Sequence, residues 1–201
     1  MVPSSRSVAD SERAALAGLL DELGPDAPTC CPGWTTAHLA AHLVVRDRRP
    51  DALPGYGVEQ LGAARPLTAW AHRLEDELRT STPYAEVVDR VRSGPAPWSP
   101  MAWRPVARLL NTTEFAIHHE DVRRAQPGWE VRALPREVQD QLWTAATVYA
   151  RRLRGGALLR RTDVDGQEKR IGARDRTLAG EPLELLLWAA GRRDVARVVV
   201  S

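Results

Sequence analysis

Four of the five histidines in this 201-residue chain fall in two short segments, His38 and His42, then His118 and His119; the second segment also carries Glu114. Residues four apart on an α-helix are offset by only about 40° and share a face. His38 and His42 therefore project together, as do Glu114 and His118. Leu110, Glu114, His118 and Val122 form one i, i+4 row beside Val106, Leu109, Thr113 and Ile117, so Glu114 falls on the apolar stripe that faces a core. His42 is placed similarly, between Leu39 and Leu43. An inward carboxylate is costly unless it is paired or bound to a cation. A divalent ion in a helical bundle would satisfy both positions. The plainer alternative is a set of hydrogen-bonded core histidines, because a Glu-x-x-x-His pair arises easily by chance on a helix. His119, about 100° around from His118, reads as structural or supporting.

Other chemistries find less support. Lys169 is the only lysine among 28 basic residues and lies in the polar stretch Asp165–Glu168, so lysine nucleophiles are set aside. Cys30 and Cys31, the only cysteines, are adjacent, which suits neither a CxxC site nor a disulfide framework. They read as reduced thiols; a covalent relay through them is the lesser reading. A net charge of +2 gives no strong field toward nucleic acid. With 43% hydrophobic and 27% charged residues, the chain is neither disordered, collagen-like nor a polytopic membrane protein. Met1–Asp10 lacks the apolar core of a signal peptide, and no run approaches 18 apolar residues. A cytoplasmic protein without membrane or nucleic-acid partners is expected, as monomer or homodimer.

The elements that must position these residues follow from periodicity and breakers. A first helix is predicted from about Asp10 to Leu23, stopped by Gly24-Pro25. A second opens at Trp34-Thr35 with Thr35 as cap and ends before Pro50; a non-helical connection follows to about Pro66. Helices are predicted over 67–79 and 84–92, then a Pro- and Trp-rich loop over 93–105. A long helix is expected from Val106 to about Ala125, and another from Pro135 to Leu153. Beyond Gly155-Gly156 a hairpin of 157–161 and 168–171 turns at Asp165-Gly166, followed by a helix over 181–190 and a strand over 195–200. The division expected is 1–154 as a helical bundle and 155–201 as a small α+β segment.

The words around the histidines are also familiar. Gly33-Trp34-Thr35-Thr36-Ala37-His38-Leu39-Ala40-Ala41-His42-Leu43 resembles the opening motif of the mycothiol-dependent maleylpyruvate isomerase N-terminal domain, one of the DinB-like metal-binding four-helix bundles. Glu114 and His118 match the second family motif, and the stretch from Leu178 to Arg192 is similar to the segment that follows the bundle. The motifs also resemble those of an actinobacterial metal-binding subgroup, which fits the preference for arginine over lysine. The resemblance implies a mainly α protein, a DinB-like up-down four-helix bundle with a small C-terminal α+β segment. It implies His42, Glu114 and His118 as metal ligands, leaving a position open for water or a thiolate. Zinc is the default ion, although nickel or iron would accept the same set. His38 and Arg192 are implied as catalytic candidates: His38 completing the metal shell, hydrogen-bonding a ligand or at the substrate mouth, Arg192 on an anionic group. At 201 residues the chain is shorter than the typical isomerase, which leaves the substrate pocket open.

The function implied is a metal-dependent thiol transferase or isomerase using mycothiol or a similar small thiol. A metal-stabilised thiolate would attack a small electrophile. Two alternatives stand beside it. One is metal-assisted hydrolysis with Glu120 or Asp121 as base. The other is a non-catalytic metal- or ligand-binding module, with Trp98 and Trp103 lining a pocket.

Overall fold

Ser7 accepts a hydrogen bond from the backbone N of Asp10 at 3.1 Å and so starts α1, Val8–Leu23, which buries Leu16, Ala17 and Leu20. The computed structural model describes residues 7–59, 65–103, 107–173 and 176–201. Gly24, with φ 74°, ends α1 in a conformation that favours glycine. The loop that follows is pinned by Thr29, whose Oγ1 donates to the carbonyl of Trp34 at 2.9 Å. Then α2 runs Thr36–Arg48, α3 Leu53–Glu59, α4 Arg65–Ser81 and α5 Tyr84–Ser93. Within this unit α2 packs on α4 and α5, α1 on α5, and α3 on α4.

A short π-helix, Ala107–Asn111, leads directly into α6, Thr112–Arg123. One compact unit comprises Met1–Asn111 with His118–Trp129, and the other Thr112–Ile117 with Glu130–Ser201. The continuous helix α6 thus contributes residues to both. The second unit holds α7, Arg136–Tyr149, and α8, Pro182–Ala189, packed together. Its four-stranded sheet has the order β2-β1-β3-β4, with β1 Gly156–Arg161, β2 Glu168–Gly172, β3 Thr177–Gly180 and β4 Val199–Val200. β1 and β2 form the expected antiparallel hairpin, while β3 lies parallel to β1. Gln139 ties α7 to α8: its amide oxygen accepts from the backbone N of Leu183 at 3.2 Å and its nitrogen donates to Glu181 at 2.7 Å.

The chain is mainly α with a C-terminal α+β portion, as the sequence predicts. Three elements differ from expectation. The connection expected to be irregular contains α3, with Pro54 in the first turn, where a missing N–H is harmless. The start expected for the long helix, Val106, lies outside the described residues; from Ala107 to Asn111 the helix is a π-helix, and its α-helical part ends at Arg123. The closing strand is confined to Val199–Val200, and β3 precedes α8. In the second compact unit α7 groups with the sheet and α8. Among the described residues, no helix is long and apolar enough to cross a membrane.

Candidate metal centre

Two helices carry the site. On α2, the row Leu39, Leu43 and Val44 is buried and takes His42 inward with it. On α6, Phe115, Ala116, Ile117 and Val122 are buried, and His118 is drawn in beside them while Glu114 is half-buried. The ligand atoms of His42, Glu114 and His118 all lie within 4.8 Å of one another. The two imidazole rings meet edge to face at a centroid distance of 5.4 Å.

What stands behind each ring is as informative as the ring itself. His42 Nδ1 lies 2.8 Å from Glu75 Oε1, and the Tyr56 hydroxyl donates to that same oxygen at 2.7 Å. His118 Nδ1 lies 2.9 Å from Asp121 Oδ2, and Asp121 is fully buried. A carboxylate at Nδ1 holds the ring proton on that nitrogen and leaves the lone pair on Nε2. Both imidazoles are therefore oriented and tautomerically set as metal-ligating histidines are. Trp34 and Tyr56 pack on the His42 ring at centroid distances of 5.2 and 4.8 Å, an apolar collar that strengthens electrostatic interactions nearby. Two nitrogens and a carboxylate oxygen fit a borderline cation such as zinc, with fewer protein ligands than a closed tetrahedral site needs.

His118 belongs to a second group as well, with Cys31 and Asp121. There Asp121 Oδ2 accepts from the Cys31 thiol at 3.2 Å and sits against His118 Nδ1, which are hydrogen-bond separations around one oxygen. The backbone carbonyl of Asp121 also accepts from the backbone N of Cys30 at 2.8 Å, anchoring the cysteine loop to α6. These three residues are thus a second group that could hold a metal ion, and they share His118 with the first.

The remaining sequence candidates are placed differently. His38 Nδ1 accepts from the backbone N of Thr35 at 3.2 Å, so the ring closes the start of α2 and its proton sits on Nε2. The ring also lines a cleft of about 170 Å³ with Trp34, Ala41, His72, Glu75 and Arg79. Arg192 lies in the second unit, where its Nη1 donates to the carbonyl of Ala190 at 2.7 Å. Neither residue belongs to a ligand group among the described residues. His119 turns to α1 and meets Glu12 at 2.7 Å, a supporting role. Glu120 forms ion pairs with Arg123 and Arg124, and Asp121 contacts His118 and Cys31. Trp98 and Trp103 are 63% and 59% exposed rather than enclosed in a pocket wall.

Sequence reasoning missed the contacts of Glu75 and Tyr56 at His42 and of Asp121 at His118. A signal existed for two of them. Asp121 follows His118 by three residues on one helix face, and Glu75 interrupts the buried row Ala71, Leu74 of α4.

No protein-family profile matches the sequence, and no curated protein matches it. Among solved structures, the chain is similar to the mycothiol-dependent maleylpyruvate isomerase and to a histidine-to-alanine mutant of it. The mutant superposes with a TM-score of 0.54 at 17% identity, covering 96% of this chain and 90% of that one. The unmutated enzyme gives 0.50 at 17% identity, covering 96% and 89%. The fold is shared with that enzyme. Identity this low carries the architecture across, while chemistry has to be argued from the residues themselves.

Proposed function

We propose that this chain is a metal-dependent enzyme of thiol chemistry, a mycothiol-type transferase or isomerase acting on a small electrophile. His42, Glu114 and His118 would hold the ion. One observation carries the reading: two imidazoles, each backed at Nδ1 by a buried carboxylate, converge with a third acidic side chain within ligand range. A divalent cation bound there supplies Lewis acidity that deprotonates a coordinating thiol near neutral pH.

The chain's own residues do the rest of the work. Glu75 and Asp121 fix the rings, Tyr56 fixes Glu75, and Trp34 shields the His42 side from water. His38 presents a donor N–H to the cleft that also borders Glu75 and Trp34, where it would steady an acceptor oxygen of the substrate. Sulfur addition to an activated cis-alkene forms a C–S bond and a single C–C bond free to rotate. Loss of the same sulfur then gives the trans isomer, and trapping of the adduct gives a conjugate. The fold shared with a maleylpyruvate isomerase supports the isomerase form, and Arg192 remains a proposed anion contact.

The test is turnover of maleylpyruvate, or of another activated cis-alkene, by zinc-loaded protein with mycothiol. The expected result is product formation that needs both the thiol and the metal and falls by about 10²- to 10³-fold in His42→Ala, the scale of removing an electrostatic catalyst. Ester or amide hydrolysis without any thiol would overturn the reading in favour of the hydrolase.

A further inference from the structure

A second concavity, of about 260 Å³, lies where the last turns of α2 and α4 meet α5, and it shares no lining residue with the His38 cleft. Its floor is apolar: Val45 and Leu74 belong to a buried cluster with Ala52 and Ala71, and Leu78 packs against that cluster. Arg48 stands on its wall. Nη2 of Arg48 donates to the Ser93 hydroxyl at 2.7 Å and to the carbonyls of Gly94 at 3.1 Å and Arg90 at 3.5 Å. None of these acceptors is a carboxylate. Among the described residues, Nε is buried without any acceptor and Nη1 has no hydrogen-bond partner.

The neighbouring arginines are matched by acids. Arg49 pairs with Asp51 at 2.8 Å and Arg90 with Glu86 at 2.6 Å. Glu77, the one acid on the cavity wall, acts on Arg49, whose pKa it helps raise after the larger effect of the Asp51 hydrogen bond. Arg48 is thus a half-buried guanidinium whose charge no acid answers among the described residues. Withdrawing a cation from water without a counter-ion is costly, and the Nη1 N–H groups that these contacts leave open are best answered by a carboxylate.

We propose that this cavity is a binding site for a small aliphatic carboxylate. The carboxylate would sit on Arg48 and the hydrocarbon chain on Val45, Leu74 and Leu78. Ser81 and Thr82 at the rim supply hydroxyl donors. The site is independent of the metal centre and does not rest on the thiol chemistry proposed above.

The experiment is calorimetric titration of the full chain with hexanoate, inorganic phosphate and hexylammonium, read alongside backbone NMR shifts. Hexanoate is expected to bind saturably at one site and to shift amides of α2 and α4. Phosphate is expected to bind at least tenfold more weakly, and hexylammonium not at all. Arg48→Met weakens hexanoate at least tenfold, and His42→Ala leaves it unchanged. Because Arg48 also anchors the end of α5, Ser81→Trp is the second variant; it fills the exposed rim and leaves the Arg48 hydrogen bonds intact, with the same loss expected. Absence of saturable hexanoate binding overturns the proposal. So does phosphate binding as tight as hexanoate, or hexanoate binding that survives Ser81→Trp in folded protein.

Discussion

Glu75 and Asp121 belong to the residue type most often sent to solvent, yet both are buried and both face an imidazole. A buried carboxylate with so specific a partner orients that partner. Glu75→Gln and Asp121→Asn keep shape and remove charge. Each is expected to lower zinc affinity about 10- to 100-fold with helical content unchanged, as read by competition with a chromophoric chelator. Cys31→Ser, which keeps a donor to Asp121, is expected to leave zinc affinity within about threefold of the parent. At this scale the pairs His38/His42 and Glu114/His118 were legible because i, i+4 spacing is a property of the helix alone, whereas the choice of His42, Glu114 and His118 as the proposed ligands came from the family resemblance. Glu75 and Tyr56 were not legible, because their partner His42 lies 33 and 14 positions away along the chain, and only tertiary packing brings them together.

Among the elements, α3 decides how well His42 is held, since it carries Tyr56. It approaches α4 so closely that a Cβ on Gly55 would sit 2.5 Å from the backbone oxygen of Leu67. Gly55→Ala therefore pushes α3 away from α4. A loss of about 1–3 kcal/mol in urea unfolding is expected, the range of overpacking, together with weaker zinc binding through the displaced Tyr56. The sequence hid α3 because Pro50, Pro54, Gly55 and Gly57 read as loop punctuation, although Pro is well tolerated in a first turn. It hid the π-helix for another reason: five-residue hydrogen-bond spacing shifts the phase of the apolar row. Leu110, expected in line with Glu114, is accordingly 47% exposed. Helices with intact 3.6-residue periodicity, α1, α2 and α5, were readable to within a few residues.

For the molecule as a whole, buried charge pairing acts at the scale of a compact unit. In the second unit, the Arg161 side chain is 1% exposed and reaches Asp163 and Asp140 at 2.6 Å each, joining β1 to α7. The hydrogen bond from Arg161 holds the Asp163 carboxyl below its ordinary range. A carboxyl whose pKa is depressed on folding stabilises the fold above its unfolded value, about 4, and that stability is lost as pH falls through the folded value. Asp163→Asn should therefore flatten the decline in urea midpoint between pH 5 and the acid limit, at some loss of stability near neutrality. Both the hairpin and the charged character of this region were legible from 157–171, whereas β3 was too short to announce itself. Metal binding acts on the whole molecule too. Zinc at 1,000 times its dissociation constant adds about 4 kcal/mol by mass action. A corresponding rise in Tm is expected in the parent and absent in His42→Ala.

The most direct measurement of the central claim is X-ray absorption at the zinc edge of protein loaded with one equivalent of the metal and no added thiol. A shell of nitrogen and oxygen alone, near 2.0–2.1 Å and with the outer scattering of two imidazoles, is the expected result. Sulfur scattering near 2.3 Å would assign the ion to Cys31 and contradict the account, as would failure of the protein to retain zinc.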